Sequence, residues 1–99
     1  MSITEKQRRH LKGLAHHLKP VVIVGQAGLS QSLLEEIGTS LDSHELIKVK
    51  VNAGDRDERQ RMIRQISERT RARVIHTIGH VAVLFRPNPK KKHPLPLPG

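Results

Sequence analysis

Four short runs rich in β-branched residues do most to limit what this chain can fold into. They are VVIV at 21–24, ELIKVKV at 45–51, and RVIHTI and VAVLF on either side of Gly79-His80. VVIV is unbroken, the pattern of a strand buried on both faces, and Gly25 closes it. ELIKVKV alternates, with Ile47, Val49 and Val51 on one side and Lys48 and Lys50 on the other, so it predicts a strand with one basic face. The last two runs are parted only by Gly-His, the signal of a hairpin closed by a type II′ turn.

The intervening stretches have a helical period. Thr4-Glu5-Lys6-Gln7 has the form of a capping box. Gln7, Leu11, Leu14, Ala15 and Leu18 then share one side of a helix predicted over 4–17, and Pro20 ends it. Leu29, Leu33, Leu34, Ile37 and Leu41 predict a second helix over 30–43. Gly38 inside it costs about 1 kcal/mol against Ala and points to close packing. Asp55 caps a third helix, with Asp57 and Glu58 in the first turn, where the helix dipole favours acids. Met62, Ile63 and Ile66 form its apolar face.

The order is α-β-α-β-α-β-β, an α/β fold with a four-stranded mixed sheet, and 99 residues suffice for one compact domain. Two β-α-β units imply right-handed crossovers between parallel strands. If the strands add sequentially, both crossover helices cover one face, and the first helix takes an edge or the other face. From residue 88 onward the sequence NPKKKHPLPLPG has no core pattern. It predicts a flexible Lys/Pro-rich tail at 88–99, attached to a domain spanning 1–87.

Charge narrows the function. Lys and Arg number 18 against 9 Asp and Glu, a net +9. Residues 1–19 carry +4, residues 20–47 carry −4, residues 48–86 carry +6, and the tail adds +3. Such polarity suggests a polyanion partner, nucleic acid or the ribosome. One Phe and no Tyr or Trp argue against stacking of bases on an aromatic platform, and Phe85 reads as core. Absence of Cys fits a reducing compartment, hence a cytoplasmic protein, and no apolar run is long enough to span a membrane. His16-His17 are adjacent, and His76 and His80 flank a turn without an acid close in sequence, so no metal site is expected. Glu35-Glu36 and Asp55-Asp57-Glu58 read as solvated charges and caps. No catalytic constellation or cofactor motif emerges, and the expectation is a binding protein, not an enzyme.

Gly25-Gln26-Ala27-Gly28 lies between the first strand and the second helix. The backbone N–H groups at a helix start favour an anion, and glycine lets a phosphate approach. A tight turn that needs glycine dihedrals explains the motif equally well. It is not a Walker A loop, because GQAGLS lacks the Gly-Lys-Ser/Thr ending.

Taken in order, HLKGLAHHLKPVVIVGQAGL, ELIKVKV and IGHVAVLFRP resemble the YhbY family, the stand-alone bacterial form of the CRM (chloroplast RNA splicing and ribosome maturation) domain. The likeness runs from about residue 3 to Pro87. It implies a domain similar to the C-terminal domain of translation initiation factor 3. It also implies binding to RNA, with bacterial members associated with precursors of the large ribosomal subunit. The family's GxxG loop falls on Gly25, Gln26, Ala27 and Gly28. Charge and spacing extend the expected surface to Lys6, Arg8, Arg9 and Lys12 of the first helix and to Lys19. The expected partner is ribosomal RNA, bound by a monomer. Two rivals remain: a protein-docking module acting through the acidic second helix, and an enzyme on a phosphorylated metabolite, which has only Gln26 and Ser30 near the loop.

Overall fold

The structure is a computed structural model and describes residues 3–98. Its elements are α1 (Glu5–Ala15), β1 (Pro20–Val24), α2 (Gln31–His44), β2 (Leu46–Val51), α3 (Arg56–Thr70), β3 (Arg73–Ile78) and β4 (Val81–Phe85). All seven predicted elements occur, in the predicted order. Thr4 forms the capping box with Gln7: its hydroxyl accepts from the Gln7 N–H at 3.1 Å, and its own N–H donates to Gln7 Oε1 at 3.1 Å. Helix α1 stops two residues short of the predicted end, in a tight turn where the Leu18 N–H bonds Ala15 O. Ser30 caps α2 through the Leu33 N–H, and Asp55 caps α3 through the Glu58 N–H.

The strand order is β1-β2-β4-β3. Strands β1 and β2 are parallel, whereas β4 runs antiparallel to both β2 and β3. Sequential addition is therefore overturned. The Gly79-His80 turn folds β4 back between β2 and β3, so the second β-α-β unit is split by an inserted strand. Only Gly79 of that turn has positive φ (56°), as a type II′ turn requires. Burial explains the insertion. Ala82 to Phe85 are buried on both faces, whereas β3 carries Arg73, His76 and Thr77 and takes an edge. The expectation that VVIV is doubly buried fails for the same reason. Strand β1 is the other edge, and Val21 and Ile23 are 41% and 61% exposed.

Helices α2 and α3 close one face of the sheet. Leu34, Ile37, Leu41, Ile63 and Ile66 pack there against Val22, Val24, Ile47, Val49, Val51 and Leu84. Each such side chain, fully buried, contributes about 1.5–3 kcal/mol. Helix α1 lies on the opposite face, where Leu11 and Ala15 meet Leu46, Ile75, Val83 and Phe85. It packs on β2 and β3 and leaves part of that face uncovered.

Gly38 does not mark close packing. A Cβ there would have no neighbour within 4 Å, and the Gly38 carbonyl instead accepts from Arg86 at 2.9 Å. Arg86 also donates to Thr70 O and pairs with Asp42, tying α2 to α3. Beyond Phe85 there is no helix or strand among the described residues, yet the segment makes defined contacts with the domain. Glu45 is 1% exposed, and its carboxylate accepts from the Asn88 and Leu95 N–H groups at 2.9 and 2.8 Å. Lys91 Nζ stands 3.7 Å away, and Leu95 and Leu97 pack on the α1-side core. A buried carboxylate needs donors, and this segment supplies them.

Candidate nucleic-acid interface

Gly25 to Gly28 form a turn at the carboxyl end of β1, closed by the Gly28 N–H on Gly25 O at 3.0 Å. The two glycines differ. Gly28 has φ +79°, a conformation that other residues adopt only with strain. Gly25 has no positive φ, and a Cβ placed on it would meet nothing within 4 Å. The fold thus accounts for Gly28 and leaves Gly25 without an intramolecular reason. The helix starts differ too. Helix α3 fills its N-terminus with Asp55, Asp57 and Glu58, whereas the first turn of α2, next to the glycine turn, holds no acid. Positive dipole ends attract anions, and α2, unlike α3, has no acid in its own first turn, although Glu68 and Arg69 of α3 line a pocket with Ser30 and Gln31 beside it.

Two bonds define this end of the sheet. The Asn52 N–H reaches Val24 O at 2.8 Å, and the Val51 N–H reaches His80 O at 2.7 Å. Loops 25–28, 52–54 and 79–80 therefore cluster together. Of the α1 bases, Lys12 lines a recess on the sheet with His16, Lys48 and His76. Lys6 and Arg9 are exposed; helical spacing puts them about 120° and 60° round the axis from Lys12, on the outer side of α1.

Arg8 has a structural task. It donates to both Glu5 oxygens, at 2.6 and 2.9 Å, and to Ile75 O at 3.4 Å. Its hydrogen bonds, ahead of the charges of Arg8 and Arg9, pull the exposed Glu5 carboxyl down to about 2. Lys19 precedes β1, a five-residue strand, and so sits at the opposite end from the glycine turn, roughly 17 Å away. It lines an apolar groove with Leu14, Leu18 and Val21. Lys12 thus faces the α1-side recess with Lys48 and His76, Lys6 and Arg9 point outward, Arg8 is held by Glu5, and Lys19 sits at the other end of β1 from the glycine turn.

Sequence reasoning passed over Lys48, Lys50 and His76 as site residues. The alternation in ELIKVKV carried the signal for the lysines, but their value depends on where α1 leaves the sheet open. Among the described residues, no three His, Asp or Glu side chains converge as a metal site would require. No helix among them is long and apolar enough to cross a membrane.

Comparison with known proteins bears on the family and the fold. Residues 3–86 match the CRS1/YhbY (CRM) domain. An RNA-binding protein of Haemophilus influenzae is 48% identical over 95 residues, 96% of each chain. Bacillus subtilis YqeI, named as a probable RNA-binding protein, is 31% identical over 90 residues, 91% of this chain and 94% of YqeI. The solution structure of a Staphylococcus aureus protein superposes with a TM-score of 0.81 at 32% identity, covering 98% of this chain and all of the other.

Proposed function

The chain belongs to the CRS1/YhbY (CRM) domain family, and from that premise we propose that it binds ribosomal RNA in precursors of the large ribosomal subunit as a monomeric, cytoplasmic assembly factor. The observation that carries the reading is Gly25. A glycine that the fold does not need, beside a helix whose own first turn holds no acid, lets a phosphate reach the backbone N–H groups. Gln26, Ala27 and Gly28 complete the clamp, and Lys12, Lys6 and Arg9 extend it by charge. Arg8 and Lys19 contribute at longer range. The single Phe is core, so no aromatic side chain of the Phe, Tyr or Trp type reads bases. Phosphate contacts position RNA and read little sequence, which suits recognition by shape.

The protein acts by binding, with no reaction of its own. Its relatives are named for RNA binding, and Gln26 and Ser30 beside the turn include no acid or base. The docking alternative loses ground, since Asp42 is held by Arg86 and Glu45 by the C-terminal segment, leaving Glu35 and Glu36 as the acids that α2 could offer a partner. Crosslinking in cells, with sequencing of the bound RNA, tests the proposal. Reads should concentrate on large-subunit precursors in excess over small-subunit RNA, and Gly25→Asp should remove them. Equal recovery of both RNAs would contradict it.

A further inference from the structure

We propose that the uncovered part of the α1-side sheet face is a second RNA-binding surface, and that it takes an unpaired strand leaving the glycine turn. The inference rests on the RNA-binding reading above and specifies the class of RNA.

Strand register supplies the first observation. Ile23 pairs with Lys50, Lys50 with Val81, and Val81 with Ile78, so these four form one row across the sheet. Ile23 precedes Gly25 by two residues, which puts the row at the edge of the turn. Its two ends, Ile23 and Ile78, are 61% and 66% exposed. In the next row Lys48 pairs with Val83, and Val83 with His76. Lys48 and Lys50 stand on the same face about 7 Å apart along β2.

The second observation is a recess of about 130 Å³ between this surface and α1, where Lys12, His16, Lys48 and His76 meet. At about 30 Å³ per water it holds roughly four waters, room for a phosphate group. Lys48 donates to Leu18 O at 3.1 Å, which leaves further N–H donors on its ammonium. Glu5 is the single acid of α1, and Arg8 and Arg9 already hold it. The surface therefore carries cations without carboxylates, flanked by bare aliphatic side chains. Lysines between exposed isoleucines suit a nucleotide chain whose bases are free to lie on apolar surface. A duplex hides its base faces, and its rigid width keeps it out of the corner between α1 and the sheet.

His76 reports on occupancy. The groups that face it are Arg8, Lys12 and His16 from α1 and Lys48 and Lys50 from β2, while β4 offers only Val81 and Val83. Burial, then Lys12 and Arg8, lowers its pKa. A phosphate beside it reverses the local charge and raises that pKa. The bound state then takes up a proton, and the contribution of the unpaired strand grows as pH falls through the histidine range.

The test uses a blunt RNA hairpin and the same hairpin with a short 3′ uridine extension. With the wild-type protein the extension should tighten binding several-fold. It should also raise the His76 midpoint in an NMR titration, which the blunt hairpin should not do. Lys48→Gln/Lys50→Gln should lose the gain from the extension and keep its affinity for the blunt hairpin. Lys12→Gln, on exposed α1, should lose part of the gain and guards against misfolding of the double variant. An extension that adds nothing, or a gain that survives in the variants with His76 unmoved, overturns this inference and leaves RNA binding intact. Failure of the wild type to bind either RNA overturns both.

Discussion

The two faces of the sheet use alternate residues of the same four strands, yet one is closed and the other partly open. On the α2/α3 face, Val22, Val24, Ile47, Val49, Val51 and Leu84 are each explained by what they touch. On the α1 face the same holds for Leu46, Ile75, Val83 and Phe85 and stops at Ile23, Lys48, Lys50 and Ile78. Where packing explains a residue, its removal should appear in stability. Where packing explains nothing, its removal should appear in binding.

The largest effect should come from the closed face. Leu41→Ala removes a side chain that is 0% exposed and should cost about 3 kcal/mol in denaturant unfolding. Ile23→Ala, on the open row, should cost less than about 1 kcal/mol. Equal losses would erase the distinction between the faces.

Next in size is the carboxylate that anchors the C-terminal segment. Glu45→Ala leaves the Asn88 and Leu95 N–H groups without their acceptor and should cost about 2 kcal/mol. Amide exchange at both residues should accelerate. Unchanged protection would mean that Leu95 and Leu97 hold the segment by packing alone.

Charge changes should be smaller and confined to binding. Neutralising Lys6, Arg9 and Lys12 should make the slope of log affinity against log salt shallower by about 0.7 for each single-strand phosphate that no longer has a cation beside it. Lys90→Gln/Lys92→Gln should weaken all RNAs by a similar, lesser factor. These lysines follow Asn88, whose N–H is held at the Glu45 end of the sheet, opposite the glycine turn. An effect restricted to one RNA would instead give the C-terminal segment a role in choosing it.

The smallest effect is a pH dependence. The Glu5 carboxyl is lowered from 4.5 to about 2 when folded, so its pair with Arg8 stabilises α1 above about 4.5 and fades as pH falls toward about 2. The pair is exposed and screened, so the difference in Tm between wild type and Glu5→Gln should be slight at neutral pH and vanish near the lower value. A difference that persists in acid would point to packing of the Glu5 stem.

Periodicity and caps made the elements readable from residues alone: Thr4 and Asp55 announced two helix starts, the spacing of Leu29, Leu33, Leu34, Ile37 and Leu41 announced the remaining helix, and Gly79-His80 announced the hairpin. Strand order was not readable, because VVIV and VAVLF are alike as local patterns. Only competition for the centre of the sheet, won by the run flanked on both sides, separates the edge from the middle. The same limit applied to the site. Gly25–Gly28 stood out as a motif and Lys48 and Lys50 as an alternation, but their adjacency depends on register and on how far α1 reaches. Glu45 looked like one more acid of an acidic stretch, and its burial follows from long-range bonds to residues 88 and 95.

The central claim is that RNA approaches the backbone at Gly25, and Gly25→Ala tests it most directly. The substitution adds one methyl group where the chain has open space and no positive φ, so stability should stay within about 0.5 kcal/mol of wild type. RNA affinity, measured by titration at fixed salt, should fall several-fold because the methyl group holds the phosphate away. Gly28→Ala should lose stability as well, through its φ of +79°. A stable Gly25→Ala protein that binds RNA as tightly as wild type would contradict the claim.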